Sequence, residues 1–501
     1  MSILPNESGK GTLERIARRA MLDSGFQTDF PQAALDELTN MHEVDWSASA
    51  IAKDLRHLLW ASIDNDDSLD LDQLTVAETL PDNRVKILVA VADVDTLVKK
   101  NSAIDKHAHQ NTTSIYTAGK TFPMLPERLS TDLTSLNYQK DRTAIVIEMV
   151  TSDAGNILSS DIYPAEVHNH AKLTYNAVAT WLEGKAAAPD KAAAIDPSLA
   201  ENLRVQDKVA QKLRSQRHLR GALELQTIEA RPVFAGDKIQ DLRAEETNRA
   251  KEIIEDFMIA ANDVTALFLQ GKQVASLRRV VRVPKRWDRI VEVASQHNFQ
   301  LPAQPDSVAL ANFLNKQKAA DPLRFPDLSL VIIKLLGSGE YVLEMPNETA
   351  PGHFGLAVKD YTHSTAPNRR FPDLITQRIL KATLGGTPMP YSQVELVDLA
   401  RYCTEKEDDA NKVERLVAKS AAAMLLVSRI GEQFDAICTG AADKGTWVRI
   451  FNPPIEGRLV HGYEGVDVGN RLKVRLIHVD VEKGFIDFEN VHLNVRNPTK
   501  S

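Results

Sequence analysis

The sequence predicts a multidomain α+β protein: a large domain of mixed sheet and helices, a short helical N-terminal cap and a small C-terminal β-barrel. Three observations predict it. A chain of 501 residues has room for about three domains. Apolar strand-like runs, RVKILVAVADV at 84–94 and 143–150, sit in the same half of the chain as segments of helical periodicity. From residue 432 the pattern changes to short β-rich runs separated by Gly, Pro and Asn turns, as in a small barrel.

The elements follow in order. Residues 11–24 and 31–41 have the spacing of two short amphipathic helices, in an N-terminal region taken as 1–49. The large domain, 50–431, opens on the apolar strands, and the stretch between them carries Pro123 and Pro126 and reads as turn-rich. Helices are expected at 172–184 and 201–220, joined by GKAAAPDKAAAIDPS, an exposed connector. A strand pair is expected over 222–235 and a helix over 244–268, with acidic residues early. Further helices are expected at 305–318, 327–336, 370–383, 391–404 and 408–430. The barrel is assigned to 432–493, and its last strands, after Val468, Gly469 and Asn470, resemble those of an OB fold.

The most informative stretch is SIDNDDSLDLDQL at 62–74, with Asp64, Asp66, Asp67, Asp70 and Asp72 within nine positions. Carboxylates so close repel one another, and a hard divalent cation is the usual compensation. An acidic run can equally be a solvated loop. Leu58, Leu59, Trp60 and Ile63 before the cluster, and Leu69, Leu71 and Leu74 within it, argue that part of it is held inside a fold. An EF-hand loop starting at Asp64 would need Gly sixth and Glu twelfth, where Leu69 and Thr75 stand. Asp70 and Asp72 are two apart, so an extended backbone aims both at one face.

Composition narrows the class. Hydrophobic residues make up 43% and charged residues 26%, as in an ordinary globular protein. No apolar run reaches the ~18 residues of a membrane span, and the N-terminus has no signal-like core. With only Cys403 and Cys438, neither a disulfide framework nor a four-thiolate zinc site is available, and a reducing cytoplasm fits. A net charge of −8 argues against a nucleic-acid coat protein. It leaves room for an enzyme with a local basic channel. Nothing points to an obligate protein partner.

In order, the aspartate cluster is followed by VAVADVDTLVKKNSAIDKHA, TSIYTAGKTFPMLPERLS, RGALELQ, EIIEDFMIAAN, HFGLA and YTHSTAPNRRFPDLITQR. With the terminal barrel, this arrangement resembles the ribonuclease II / ribonuclease R (RNB) exoribonuclease family over roughly residues 50–490. The resemblance implies an RNB catalytic domain with a channel to a buried acidic site and an OB-fold barrel of the ribosomal S-one type. It implies hydrolytic 3′-to-5′ digestion of single-stranded RNA to nucleoside 5′-monophosphates with Mg²⁺, or Mn²⁺. Asp64, Asp70 and Asp72 match the family's metal-site aspartates, and Asp70 and Asp72 are the catalytic pair. Arg369 falls on its catalytic arginine, a bidentate partner for charge developing on the scissile phosphate. Tyr116 matches a tyrosine that stacks on the terminal nucleotide, with a core tyrosine as the alternative. Glu255 and Glu414 match helical positions expected at the 3′-end ribose or the phosphate-binding arginine. Arg370 is expected to pair with protein or with the RNA backbone, and Asp373 to orient an arginine.

The barrel's Trp447, Arg449 and Phe451, with Arg458, His461, Tyr463, Arg471, Lys473 and Arg475, suit single-stranded nucleic acid, where bases stack on rings and phosphates meet cations. A generic barrel with core aromatics is the alternative.

The sequence departs from the family pattern in several places. Gln73 stands where the family commonly has a further Asp, which removes one charge from the metal site. Ser364, Ala366 and Asn368 replace Phe, Ser and Ile, and Ala90 replaces a histidine. Asp66 and Asp67 occupy positions the family does not keep acidic. Only 63 residues precede Asp64, too few for the two cold-shock-type barrels of the bacterial prototypes, so either the helical cap replaces them or the channel entrance is more open, and a wider entrance would favour loosely structured or duplex-containing substrates. The histidines near 107–109 and 168–170 read as surface or loop residues, not a zinc site. Two other functions compete with the exoribonuclease: a catalytically weak RNB-fold protein that binds single-stranded RNA, and an unrelated hydrolase with a Ca²⁺-stabilised loop. The last leaves the other motifs unexplained.

Overall fold

The computed structural model describes residues 9–42, 53–187, 197–227, 229–245, 247–348, 351–442 and 445–491. Most of the connector expected before the second large-domain helix, residues 188–196, lies outside them. The predicted class holds: mixed sheet and helices, then a closed five-stranded barrel.

Two N-terminal helices, α1 (Gly9–Asp23) and α2 (Gln32–Thr39), precede the main sheet. That sheet has seven strands: β1 (Lys53–Asp54), β2 (Ala61–Asp64), β3 (Gln73–Thr79), β4 (Val85–Ala92), β7 (Asp141–Thr151), β8 (Ile157–His168) and β9 (Ala171–Thr174), in the order β1-β8-β7-β4-β3-β2-β9. Helix α3 (Ala103–Asn111) and a small hairpin of β5 (Ile115–Tyr116) and β6 (Thr121–Phe122) come between β4 and β7. β4 is the apolar run of the sequence, and its residues from Ile87 to Ala92 are all buried. The main core gathers around it.

After the sheet come α4 (Tyr175–Leu182) and α5 (Pro197–Leu219), a hairpin of β10 (Glu229–Ala235) and β11 (Lys238–Glu245), and α6 (Arg249–Gly271). Asn248 caps α6 by accepting the Lys251 N–H (3.0 Å). A second two-stranded sheet, β12 (Ser276–Val280) with β13 (Glu340–Glu344), brackets α7 (Trp287–Gln296), α8 (Ser307–Ala320) and α9 (Phe325–Leu336).

Two helices then position the site. α10 (Phe371–Gly385) starts on Pro372 and Asp373, a proline and an acid in the first turn. α11 (Gln393–Leu426) is 34 residues long and opens on a capping box of Ser392 and Glu395. Two helices were expected here. The charged run Glu405–Asp409 contains no Pro or Gly, so it continues the helix, with Lys406 buried against the Ser24 and Gly25 carbonyls and Glu407 paired with Arg279. One stripe of α11, Val413 and Val417, packs with Leu13, Ile16 and Met21 of α1 and with Ile115 and Phe122. Its last turn, Ala422, Ala423 and Leu426, enters the barrel core.

The barrel comprises β14 (Gln433–Ala442), β15 (Gly445–Ile450), β16 (Glu456–His461), β17 (Arg471–Asp480) and β18 (Phe485–Asn490), closed in the order β14-β15-β16-β18-β17. Its core is Val448, Ile450, Val474, Leu476 and Phe488. Ion pairs fasten it to the rest: Glu482 takes Arg15 and Arg19 of α1, at 2.5 and 2.9 Å, and from α9 Asp327 pairs with Arg449 and Lys334 with Glu456 (3.4 Å).

Other expectations shift. The strand pair lies at 229–245, not 222–235. The segment expected to be helical from 172 starts as strand β9. β8 and α7 were not foreseen. β8 carries Ser159, Ser160 and Asp161 in a polar run and Pro164, which argue against a strand; Pro164 is tolerated because β1 pairs with β8 only at Ala165 and Glu166.

Candidate active site

The acidic cluster lies in the loop between β2 and β3. Its last residues are stitched to the neighbouring chain. The Ser135 hydroxyl donates to the Leu69 carbonyl and accepts from the Leu71 N–H, both at 2.9 Å. The Leu136 N–H donates to the Leu71 carbonyl and the Ala92 N–H to the Asp72 carbonyl, again at 2.9 Å. Leu71, between Asp70 and Asp72, is buried, and the alternation of a stretched backbone turns the two carboxylates the same way. Asp64, at the end of β2, accepts from the Asn65 N–H and the Ser68 hydroxyl, both at 2.8 Å. Asp66 and Asp67 are exposed.

The segment leading into α10 reaches the same place from almost 300 positions away in sequence. The Asn368 N–H donates to Asp72 Oδ1 (3.0 Å), and Arg369 Nε lies 3.2 Å from Asp72 Oδ2. The Arg369 carbonyl accepts the Ser114 N–H (2.9 Å), which draws in the β5–β6 hairpin. From that hairpin the Tyr116 hydroxyl donates to Asp70 Oδ2 (3.3 Å), while Glu414 of α11 accepts the Tyr116 N–H (2.8 Å). Asp72 is 2% exposed, yet the side chain of Arg369 keeps 45% of its surface accessible, and Tyr116 keeps 45%. With the carboxylate buried beneath them, the guanidinium and the ring keep surface that a ligand can contact.

Burial pushes the Asp72 carboxyl up to about 7, against the pull of Arg369 and with Asp70 adding to the rise. Burial also raises Asp70, again opposed by Arg369, and raises the Tyr116 phenol, with the Asp70 charge adding. Burial works against the charge on Arg369, but Asp72, Tyr116 and Asp70 hold its pKa above the ordinary value, so it stays a cation.

The site fits a hard divalent cation. Its ligand atoms would be carboxylate oxygens, and Asp72 Oδ2 is buried with no hydrogen-bond partner. Among the described residues no group of three or more His, Cys, Asp or Glu side chains is drawn together as a cage. That agrees with the way Mg²⁺ is commonly held, by one or two carboxylates with waters and substrate phosphate completing the shell. Gln73 does not extend this acidic set: its amide nitrogen donates to the Thr365 carbonyl.

Several candidates lie elsewhere. Glu255 pairs with Arg214 of α5 (3.6 Å), and none of its contacts reaches Asp70, Asp72 or Arg369. Its place on a helix was legible; the face it occupies was not. Arg370 donates to Asp373 (2.9 Å) and lies 3.4 Å from His363 Nδ1, so it braces the loop, and Asp373 orients this arginine. Arg449 is buried in its pair with Asp327, against the expectation of an RNA contact. Phe451 is exposed, with the Arg471 guanidinium 5.5 Å from its ring, and Trp447 is half-buried. His107 is not a surface residue: it is buried, 2.7 Å from the Gln27 side chain. Sequence reasoning missed Ser135 and the Asn368 N–H, because backbone and hydroxyl contacts leave no pattern in a lone sequence.

The description "RNB domain" matches residues 52–386, and "RNase II-type exonuclease C-terminal S1 domain" matches residues 432–491. The chain belongs to the RNB family. RNB exoribonucleases are metal-dependent hydrolases. Ribonuclease R of Vibrio parahaemolyticus is 30% identical over 506 residues, covering 92% of this chain and 59% of that protein. Ribonuclease R of Escherichia coli K12 is 30% identical over 498 residues, covering 92% and 60%. The chain thus spans about three-fifths of the length of these curated relatives. Mycoplasma genitalium RNase R, solved in complex with ribose-methylated single-stranded RNA, shares the RNB fold with a TM-score of 0.86 at 24% identity, over 96% of this chain and 78% of that one. No described helix is long and apolar enough to cross a membrane.

Proposed function

We propose that this chain is a hydrolytic 3′-to-5′ exoribonuclease that degrades single-stranded RNA to nucleoside 5′-monophosphates, using Mg²⁺. The observation that carries this reading is the meeting of Arg369 with buried Asp72 (3.2 Å) beside Tyr116 and Asp70. Phosphodiester hydrolysis needs a positioned water, a neutralised phosphate and a gripped strand end, and these side chains supply the last two.

Asp70 and Asp72 would hold the cation, with Asp64 near enough to raise the Asp70 pKa; when bound, the cation would activate water and polarise the phosphate. The chain's own residues do the rest. Arg369, permanently charged and accessible, takes the non-bridging oxygens of the last phosphodiester and stabilises charge as it develops there. The pair with Asp72 presets the guanidinium and limits reorganisation during reaction. The Tyr116 ring stacks on the terminal base without regard to its identity, and Glu414 holds the Tyr116 backbone while it does so. Phe451 and half-buried Trp447 on the barrel are the contacts for upstream RNA, with Arg471 stacked beside Phe451. A division at about 50 and 432 follows from this assignment of roles. Two buried, unpaired cysteines suit a reducing cytoplasm.

The test is incubation of the purified protein with 3′- and 5′-labelled oligoribonucleotides and Mg²⁺ or Mn²⁺, with a DNA control. Mononucleotide released from the 3′ end is expected, and Asp72→Asn should lose it while still binding RNA. Full turnover by Asp72→Asn would remove the role given to that residue. RNA binding without release in the unaltered protein would favour the second reading, a catalytically weak RNA-binding protein, for which the neutral Gln73 speaks.

A further inference from the structure

Three consecutive residues of the arginine-bearing segment are each anchored by a side chain from a different element. The Ser364 N–H donates to Asn262 Oδ1 of α6 (2.9 Å). The Thr365 carbonyl accepts from the Gln73 amide of β3. The Ala366 N–H donates to Asp373 Oδ1 of α10 (2.8 Å). All three residues are buried. Gln73 is itself fixed, because it opens β3 in register with Val91 of β4. Of the three anchors, only this one joins the arginine segment to the strand that follows the aspartates.

The chemistry of the contact is selective. A backbone carbonyl only accepts, so its partner must donate. An amide does; an ionised carboxylate at the same place would set acceptor against acceptor. The remaining ties between the two segments, the Asn368 N–H and Arg369, both end on Asp72. Asp72 is a proposed cation ligand, so those ties are the ones that change when a cation or a phosphate arrives. The Gln73 contact does not involve Asp72.

We propose that Gln73 is a positioning residue and not a metal ligand: its amide straps the 362–370 segment to the aspartate strand and so holds Arg369 at working distance while Asp72 is engaged. The role given to Arg369 rests on the exoribonuclease reading; the strap itself does not.

Two variants test it. Gln73→Met keeps length and loses the donor; Gln73→Glu keeps shape and offers only acceptors. Three measurements are made on each: hydrogen exchange of the 362–370 amides in RNA-free protein, Mn²⁺ affinity of RNA-free protein by electron paramagnetic resonance, and kcat and KM on an oligoribonucleotide. The strap predicts faster exchange confined to 362–370 in both variants and Mn²⁺ affinity within about twofold of the parent in Gln73→Met. It predicts kcat reduced about tenfold or more with KM little changed, since small displacements of a catalytic group are costly, and Gln73→Glu the slower of the two. Unchanged exchange at 362–370 would overturn it, as would a tenfold loss of Mn²⁺ affinity in Gln73→Met or a gain of kcat in Gln73→Glu. Should the parent protein release no mononucleotide, the exoribonuclease reading fails, while exchange and Mn²⁺ binding still decide the strap.

Discussion

Asp72 concentrates the electrostatic cost of the site. In the unfolded chain an aspartate titrates near 3.8, and in the folded chain burial pushes Asp72 up to about 7. Between those values the folded state holds the extra proton, so stability falls as pH rises from about 4 to 7, and the loss is complete above 7. Asp70 is raised as well, and burial lifts Asp256 and Asp263 to about 6. A divalent cation reverses the preference at its own ligands. Burial lowers the pKa of His107, His353 and His363 and opposes this trend, so Asp72 is read by difference: without metal, the parent's thermal midpoint relative to that of Asp72→Asn should drop between pH 5 and pH 8. Mg²⁺ should raise the parent's midpoint more at pH 8 than at pH 5, and Asp72→Asn should lose that difference. Calorimetry with and without Mg²⁺ reads this directly, and an unaltered slope in Asp72→Asn would place the source elsewhere. For Tyr116 the ring and the hydroxyl can be separated. Tyr116→Ala should raise KM on short RNA about 5- to 150-fold, as expected for a lost base stack of ~1–3 kcal/mol. Tyr116→Phe keeps the ring and should stay within a few-fold of the parent.

The elements divide by how much of their signal is local. The β4 run, the α10 start at Pro372–Asp373 and the barrel's turn spacing are all written within a few residues of themselves, and all were legible. The same holds for the aspartate cluster, whose interleaved leucines pointed to partial burial. What was not legible depends on partners far away in sequence. β8 is a strand because β7 pairs with its whole length, which overrides a polar, proline-containing sequence. Arg449 looks like an RNA contact beside Trp447, but Asp327 on α9 claims it. This last point gives a prediction. Arg449→Ala should leave RNA affinity nearly unchanged and loosen the barrel from α9, visible as faster hydrogen exchange along β15. Phe451→Ala should instead weaken RNA binding, by about tenfold for a lost stack of ~1–3 kcal/mol, with the barrel intact. Equal losses of RNA affinity in the two would return Arg449 to the RNA surface.

Across the whole molecule α11 is the element that joins the Tyr116 hairpin to the barrel. It touches α1, the hairpin that carries Tyr116, and the barrel core. From Glu414, beside Tyr116, to Leu426, inside the barrel core, is twelve residues, or about 18 Å of unbroken helix at ~1.5 Å per residue. A rigid rod of that kind acts as a ruler. In the proposed exoribonuclease it would set the span between the barrel, where a strand is first gripped, and the site where it is cut. At ~3.4 Å per stacked nucleotide that span is about five nucleotides. A fragment shorter than this has hold of only one end of the ruler and dissociates before another turnover. Digestion should therefore stall on leftovers of about five nucleotides or slightly more, resolvable on a denaturing gel. Trimming down to dinucleotides at undiminished rate would mean that the length of α11 has no bearing on where digestion stops.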